Sequence, residues 1–279
     1  MPRCCALGVV LLLALLPDPR ARVPRPAGER AVAADSRKEV VHLFNGKNLD
    51  GFYTWLKGHG KNKDPDGVFT VKDGMIRVSG QTWGGFITEK EYDNYHLIVE
   101  FKWGEKTWAP REKATRDSGI LLHCVGEDGA AGGTWMESVE CQMIEGGTGD
   151  IILVGGKKQP TITVEAEDRP TVTGDKKSDQ PYYKPGAPPR HFRSGRINWF
   201  GRDPAWRDVK GFRGKKDVEK PVGQWNRLEC VCDGDKITIL LNGTVVNVGT
   251  RCSHTKGKLL FQSEGAEVFF RRIDLEPLR

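Results

Sequence analysis

From Val40 onward, apolar residues recur at every second position in short runs cut by Gly, Asp and Asn, and no stretch of a dozen residues repeats with a helical period. Side chains that alternate between two faces suit half-buried strands, which confines the chain to β-structure. Phe69–Val71 and Met75–Val78 flank Lys72-Asp73-Gly74, a hairpin signal. Further strands are expected at Tyr95–Trp103, Ser118–Cys124, Ser138–Ile144, Trp225–Cys232, Lys236–Asn242, Lys258–Phe261 and Glu267–Leu275, with turns at Asp233-Gly234 and Asn242-Gly243. Many short strands joined by tight turns predict an all-β fold, a two-sheet antiparallel β-sandwich of jelly-roll type. Between Glu145 and Gln224 the alternation dissolves into Pro, Gly, Lys, Asp and aromatic residues. A long loop insertion of that kind is expected to rim one sheet face and to carry function.

With 279 residues, 38% hydrophobic and 29% charged, the chain is neither disordered, nor a polytopic membrane protein, nor a coiled coil. The net charge of +6 is misleading, because the first 34 residues hold five Arg against only Asp18 and Glu29. What remains is too scattered to argue for nucleic acid. Arg3, the apolar run Ala6–Leu16 and the small residues Ala31-Val32-Ala33-Ala34 follow the order of a secretory signal peptide. Residues 1–34 are therefore expected to direct export to the periplasm or the exterior, leaving 35–279 as the working domain. As a helix the apolar run rises about 16 Å, roughly half a bilayer, so no membrane span is expected. Five cysteines follow, Cys124, Cys141, Cys230, Cys232 and Cys252, without zinc-ligand spacing. They read as small buried residues, with one disulfide left open.

Glu140 and Gln142 occupy one face of an otherwise apolar strand, about 7 Å apart, while Val139, Cys141 and Met143 take the other. Glu145 has the wrong parity for the polar face unless a bulge near Ile144 restores it. On the strand Arg116–Cys124, alternation puts Asp117, Gly119, Leu121 and His123 on one face and Ile120, Leu122 and Cys124 on the other. If the two strands pair, His123, Asp117, Glu140 and Gln142 converge, with Gly119 leaving room for a ligand. Glu140 or His123 would then serve as base and Glu145 as acid, with Asp117, Arg116 and Gln142 holding hydroxyls. A divalent metal ion held by Glu140, Glu145 and His123 is the open alternative, although no spacing demands one. Trp135, Trp199 and Trp206 are groove candidates for stacking on sugar C–H surfaces, while Trp103 and Trp225 are expected in the core. There is no phosphate-binding glycine loop and no serine nucleophile elbow.

Several segments occur together in a fixed order: Leu43-Phe44-Asn45-Gly46, Val68-Phe69-x-Val71-x-Asp73-Gly74-x-Ile76, Asp117-Ser118-Gly119-Ile120, Glu140-x-Gln142-x-x-Glu145, Gly223-x-Trp225-Asn226 and the closing run Gln262–Ile273. In this combination the chain resembles the 3-keto-disaccharide hydrolase domain family from Val40 to Leu278. The resemblance implies a concanavalin A-like jelly roll and an oligosaccharide or 3-keto-glycoside as ligand. It also implies cleavage that begins by removing the C2 proton next to the C3 ketone. Gln262, Glu264 and Arg271, from the closing run, are expected to approach the same groove. A non-catalytic carbohydrate-binding module and a conventional two-carboxylate glucanase are the alternatives on the same fold.

Overall fold

The computed structural model describes residues 39–173 and 176–278, and among them there are strands but no helix. The segment read as an export signal lies outside these residues. In chain order the first strands are β1 (Val41–His42), β2 (Phe52–Leu56), β3 (Gly60–Lys61), β4 (Phe69–Lys72), β5 (Met75–Val78), β6 (Gly84–Thr88) and β7 (Tyr95–Thr107). Next come β8 (Asp117–Val125), β9 (Glu137–Ile144), β10 (Ile151–Val154), β11 (Ile162–Thr173), β12 (Lys176–Tyr183), β13 (Pro189–Phe192) and β14 (Gly195–Ile197). The last are β15 (Asn226–Asp233), β16 (Lys236–Leu241), β17 (Thr244–Gly249), β18 (Lys258–Ser263) and β19 (Ala266–Pro277).

A back sheet runs β17-β16-β15-β7-β19-β5-β4, with β1 beside β19, and a front sheet runs β14-β10-β9-β8-β18-β6-β2-β3. The expected jelly-roll sandwich is thus present. Its hairpins close where the sequence signals them. Asp73 (φ 52°) and Gly74 (φ 71°) join β4 to β5, while Asn242 (φ 50°) and Gly243 (φ 82°) join β16 to β17. Two successive left-handed residues give the turn that matches strand twist.

The core lies between the sheets. Phe86 stacks on Phe261 with centroids 4.7 Å apart, and Phe270 from the back sheet meets Phe261 edge-on at 5.8 Å. Each such buried ring contributes roughly 1.5–3 kcal/mol. The front sheet is also apolar on part of its outer face, where Tyr53, Ile87, Leu121, Cys124, Met136 and Leu260 cluster, with Trp55 and Trp135 packed against them. No helix of the described residues is long and apolar enough to cross a membrane.

The segment expected as a long loop between Glu145 and Gln224 instead contains β10 to β14. Two of these add to the front sheet beside β9, and three form a separate sheet ordered β12-β11-β13. Alternation misses β10 because Ile151-Ile152-Leu153-Val154 is apolar on both faces. It misses the third sheet because ion pairs such as Arg190–Asp168 and Lys184–Glu167 hold those strands together with polar side chains. All five described cysteines are free and buried. Trp103 is in the core as expected. Trp225 is not: it lies partly exposed, with Lys102 at 4.9 Å and Arg271 at 4.3 Å over its ring. Trp199, expected at a groove, is fully buried.

Candidate functional site

The site forms on the outer face of the front sheet because β9, β8 and β18 are neighbours in a register that aligns their polar positions. Gly119 pairs with Gln142 and Leu121 with Glu140, while Leu260 of β18 pairs with Leu121 from the other side. Gln262 follows two residues along β18, on the same face. Gly119 is what lets these groups meet. A Cβ there would lie 2.3 Å from Glu140 Oε1 and 2.5 Å from Gln262 Oε1, so the missing side chain is replaced by a carboxyl and an amide lying over the backbone.

Asp117 borders this cradle, forming an ion pair with Arg111 and accepting a 3.0 Å hydrogen bond from Gln142 Nε2. Burial pushes the Asp117 carboxyl up to about 6, against the pull of Arg111 and Arg196. Glu140 is pushed further, to about 8, first by burial and then by the charge of Asp117, with Arg196 and a hydrogen bond from Gln262 opposing. Glu264, half-buried at the end of β18, is driven well above the carboxylate range by burial and by both neighbouring acids. The three carboxyls therefore do not share the charge equally: at neutral pH Asp117 is ionised and Glu140 holds a proton, and burial beside both of them favours the protonated form of Glu264. Two buried acceptors in the cradle, Gln142 Oε1 and Gln262 Oε1, have no partner. An unmet buried acceptor is costly unless a ligand or ordered water satisfies it.

Beside the cradle opens a cavity of about 730 Å³ whose lining includes Arg111, Arg196, Arg202, Gln180, Trp206 and Asp208. Arg196 shares a sheet row with Glu140, since Arg196 pairs with Ile152 and Ile152 with Glu140. Two strand spacings separate them, about 10 Å. Asp150 is fully buried and ion-paired to Arg202, with Arg196 at 3.4 Å. Arg196 keeps 30% of its side chain exposed and Arg202 only 4%, so Arg196 is the more accessible of these two cations. Local pattern gives no position for Arg111 and Arg202, which lie outside the strands. The alternation Arg196-Ile197-Asn198-Trp199, with Ile197 and Trp199 buried in the core, is the signal that would have placed Arg196 on an outer face.

Four expectations are corrected by the geometry. His123 does not join Glu140. The β8–β9 and β8–β18 registers both slip around it, and His123 takes φ 52°, a bulge that swaps the faces of His123 and Cys124. Cys124 goes to the outer cluster, while the His123 ring turns inward against Tyr95 of the back sheet, with centroids 5.5 Å apart. Its Nδ1–H donates to the His254 carbonyl at 2.8 Å, and burial lowers its pKa to about 4. Glu145 is not in the cradle either. There is no bulge near Ile144, and the carboxylate bonds Arg116 Nη1 and Arg116 N, both at 2.8 Å, and Gly211 N at 3.0 Å. Arg116, buried by that pair and by the Gly104 carbonyl at 2.7 Å, is not free to hold a substrate. Arg271 lies on the back sheet, bonded to Glu100 at 2.5 Å.

With Glu140, Glu145 and His123 apart, they do not fit a metal as a ligand set, and among the described residues no three His, Cys, Asp or Glu are grouped to hold one. Asp117, Glu140, Gln142, Gln262 and Glu264 are the residues brought together. Trp135 sits on the same face further along, stacked on Trp83 with centroids 6.2 Å apart.

The model of the 3-keto-alpha-glucoside-1,2-lyase-like domain matches residues 39–276. The chain belongs to that family. It is accordingly a carbohydrate-active protein, and the family match spans nearly all of the described sandwich. No curated protein matches it. Among solved structures, a candidate glycosyl hydrolase from Parabacteroides distasonis is 18% identical with a TM-score of 0.50, covering 86% of this chain and 94% of that one. Another from the same organism is 20% identical with a TM-score of 0.47, covering 86% and 100%. A Bacillus licheniformis β-glucanase is 11% identical with a TM-score of 0.42, covering 84% and 96%. The first likeness is one of fold.

Proposed function

We propose that this 3-keto-alpha-glucoside-1,2-lyase-like chain is an exported enzyme that cleaves 3-keto-glycosides by elimination, with water adding afterwards where hydrolysis is completed. The observation that carries the reading is the Glu140 carboxyl laid over Gly119 between Gln142 and Gln262, whose amide oxygens await hydroxyl donors. Glu140 takes the C2 proton, and the C2–H electron pair moves into a C2–C3 enolate whose charge falls on the former ketone oxygen. When the ketone re-forms, the pair shifts to C1–C2 and the bond from C1 to the leaving oxygen breaks. That oxygen takes a proton from Glu264, the half-buried acid beside the cradle. The enolate is stabilised by the cationic side chains of Arg196 and Arg111. No step is routed through a metal. Export rests on residues 1–34, and its check is where the protein is found and how it begins: protein that stays in the cytoplasm with Met1 intact would sink it.

A conventional glucanase is the second reading, favoured by one observation. Glu140, with its carboxyl pushed up to about 8, holds a proton at pH 7, as a general acid must. One experiment separates the two. In D₂O a 3-keto-glycoside should gain deuterium at C2, and kcat/KM should rise with pH through about 8 as Glu140 ionises. Product without label, with a rate that falls through the same pH, is conventional hydrolysis. Binding with neither product nor label leaves a carbohydrate-binding module.

A further inference from the structure

The outer face of the front sheet does not end at the cradle. Trp55 pairs with Gly85 and Gly85 with Gln262, so Trp55 lies in the same row as the cradle amides. Gln142, Gly119, Gln262, Gly85 and Trp55 thus span four strand spacings, about 19 Å. Beyond Trp55, Trp135 packs on the outer apolar cluster and stacks on Trp83 with the rings 25° from parallel. All three indoles are partly exposed, whereas Trp103, Trp199 and Trp206 are buried. Their polar atoms differ as well. The indole N–H groups of Trp55, Trp103, Trp108, Trp199 and Trp206 donate within the protein. Those of Trp83 and Trp135 have no protein partner among the described residues, and neither is a buried orphan. Flat, half-open aromatic faces with accessible N–H donors suit a ligand that is apolar on its ring faces and hydroxylated at its rim.

We propose that Trp55, Trp83 and Trp135 form a second carbohydrate-binding platform, continuous with the cradle, which holds the part of an oligosaccharide remote from the reacting sugar. The proposal rests on the reading of the cradle as a glycoside site and extends it to substrates longer than a disaccharide. A chain seated in the cradle and running along this row reaches Trp55 only after further sugar units. The cavity on the Arg196 side is lined mainly by charged and polar residues, and its one aromatic ring, Trp206, is buried, so the aromatic end is where extended sugar rings find open stacking surface.

The test is calorimetric titration of unoxidised cello- and malto-oligosaccharides, from the disaccharide to the hexasaccharide, into the full-length protein and its Trp83→Ala/Trp135→Ala variant. In the wild type, affinity should increase by about tenfold or more from disaccharide to tetrasaccharide in one of the two series, the scale expected of buried aromatic anchors. The double alanine variant should lose that increase, and Trp83→Phe/Trp135→Phe should keep most of it, which separates lost stacking from misfolding. Equal wild-type affinities at every length in both series, or a length dependence that survives in the alanine variant, would overturn the platform. Deuterium incorporation at C2 is scored separately. Length dependence without label would leave the platform and remove the elimination chemistry, and label without length dependence would do the reverse.

Discussion

Two buried acidic clusters flank the end of β9, and they differ in how their acceptors are met. On the outer face, Glu140 lies in a cradle where Gln142 Oε1 and Gln262 Oε1 have no partner. Past the end of the strand, Glu145 is bonded by Arg116 and Gly211, and Glu219 receives Trp103 Nε1–H and a 2.8 Å hydrogen bond with Thr148 Oγ1. Burial pushes Glu140 and Glu219 up to about the same value, about 8. A perturbed carboxyl is therefore not enough to mark a functional site in this protein. Glu219 sits among groups that already satisfy it, and the neighbouring Asp217 Oδ2, which has no hydrogen bond, is ion-paired to Arg213 at 3.2 Å, whereas the two cradle acceptors have neither.

The largest effect that would break this comparison is expected from a matched pair of substitutions. Glu140→Gln keeps shape and neutrality but cannot take a proton, so kcat on a 3-keto-glycoside should fall by about 10²–10⁴-fold with little change in Tm. Glu145→Gln removes the counter-charge of buried Arg116, and unfolding free energy should drop by about 3–5 kcal/mol. Turnover per folded molecule should change far less. Steady-state kinetics beside thermal unfolding reads both. If Glu145→Gln abolished turnover at unchanged Tm, the roles assigned to the two clusters would be reversed.

Gly119→Ala comes next. A glycine inside a strand is usually stabilised by alanine, but Gly119 is buried and the new Cβ would lie 2.3 Å from Glu140 Oε1. Overpacking should cost about 1–3 kcal/mol, and displacement of the carboxyl should lower kcat/KM by about 10²-fold. A stabilised, fully active variant would mean that the carboxyl does not rest on this glycine.

How far the sequence predicts these features depends on whether they obey a local rule. The sandwich follows from alternation because most strands bury one face, and the shared face of Gly119 and Gln142 follows from parity once β8 and β9 pair. Glu140 and Gln142 fall where parity puts them. His123 does not, because a single-residue bulge reverses every assignment after it and nothing in Leu121-Leu122-His123-Cys124 announces one. Glu145 would share the face of Glu140 only with a bulge near Ile144, and the one register shift between β8 and β9 lies at the other end, between Leu122 and Val125. In fact the strand ends after Ile144, and Gly147 N bonds back to the Ile144 carbonyl at 2.7 Å, closing a turn. Arg111 comes from a loop, which has no periodicity, and Arg196 from a strand of only three residues, whose alternation with Ile197 and Trp199 gives its face but not its neighbours. Long-range packing, not local pattern, delivers them to the carboxyls.

The smallest effect sharpens the comparison from the structural side. The Glu219 carboxyl has an ordinary pKa of 4.5 when exposed, and burial pushes it up to about 8 in the fold. Between those values the folded protein keeps a proton that the unfolded chain has released. Its contribution is therefore fully present below pH 4.5 and is lost as pH rises toward 8. Glu140 and Asp117 add slopes of the same sign, so the informative quantity is the difference between variant and wild type. Glu219→Gln stays neutral, and its amide can donate to Thr148 Oγ1 while its oxygen accepts from Trp103 Nε1–H. Relative to wild type, the variant should gain stability as pH rises across that window, by at most about 1.4 kcal/mol per pH unit. Chemical denaturation at a series of pH values measures the difference. Parallel curves would show that Glu219 is ionised in the folded protein, and the two clusters would then differ in protonation as well as in unmet partners.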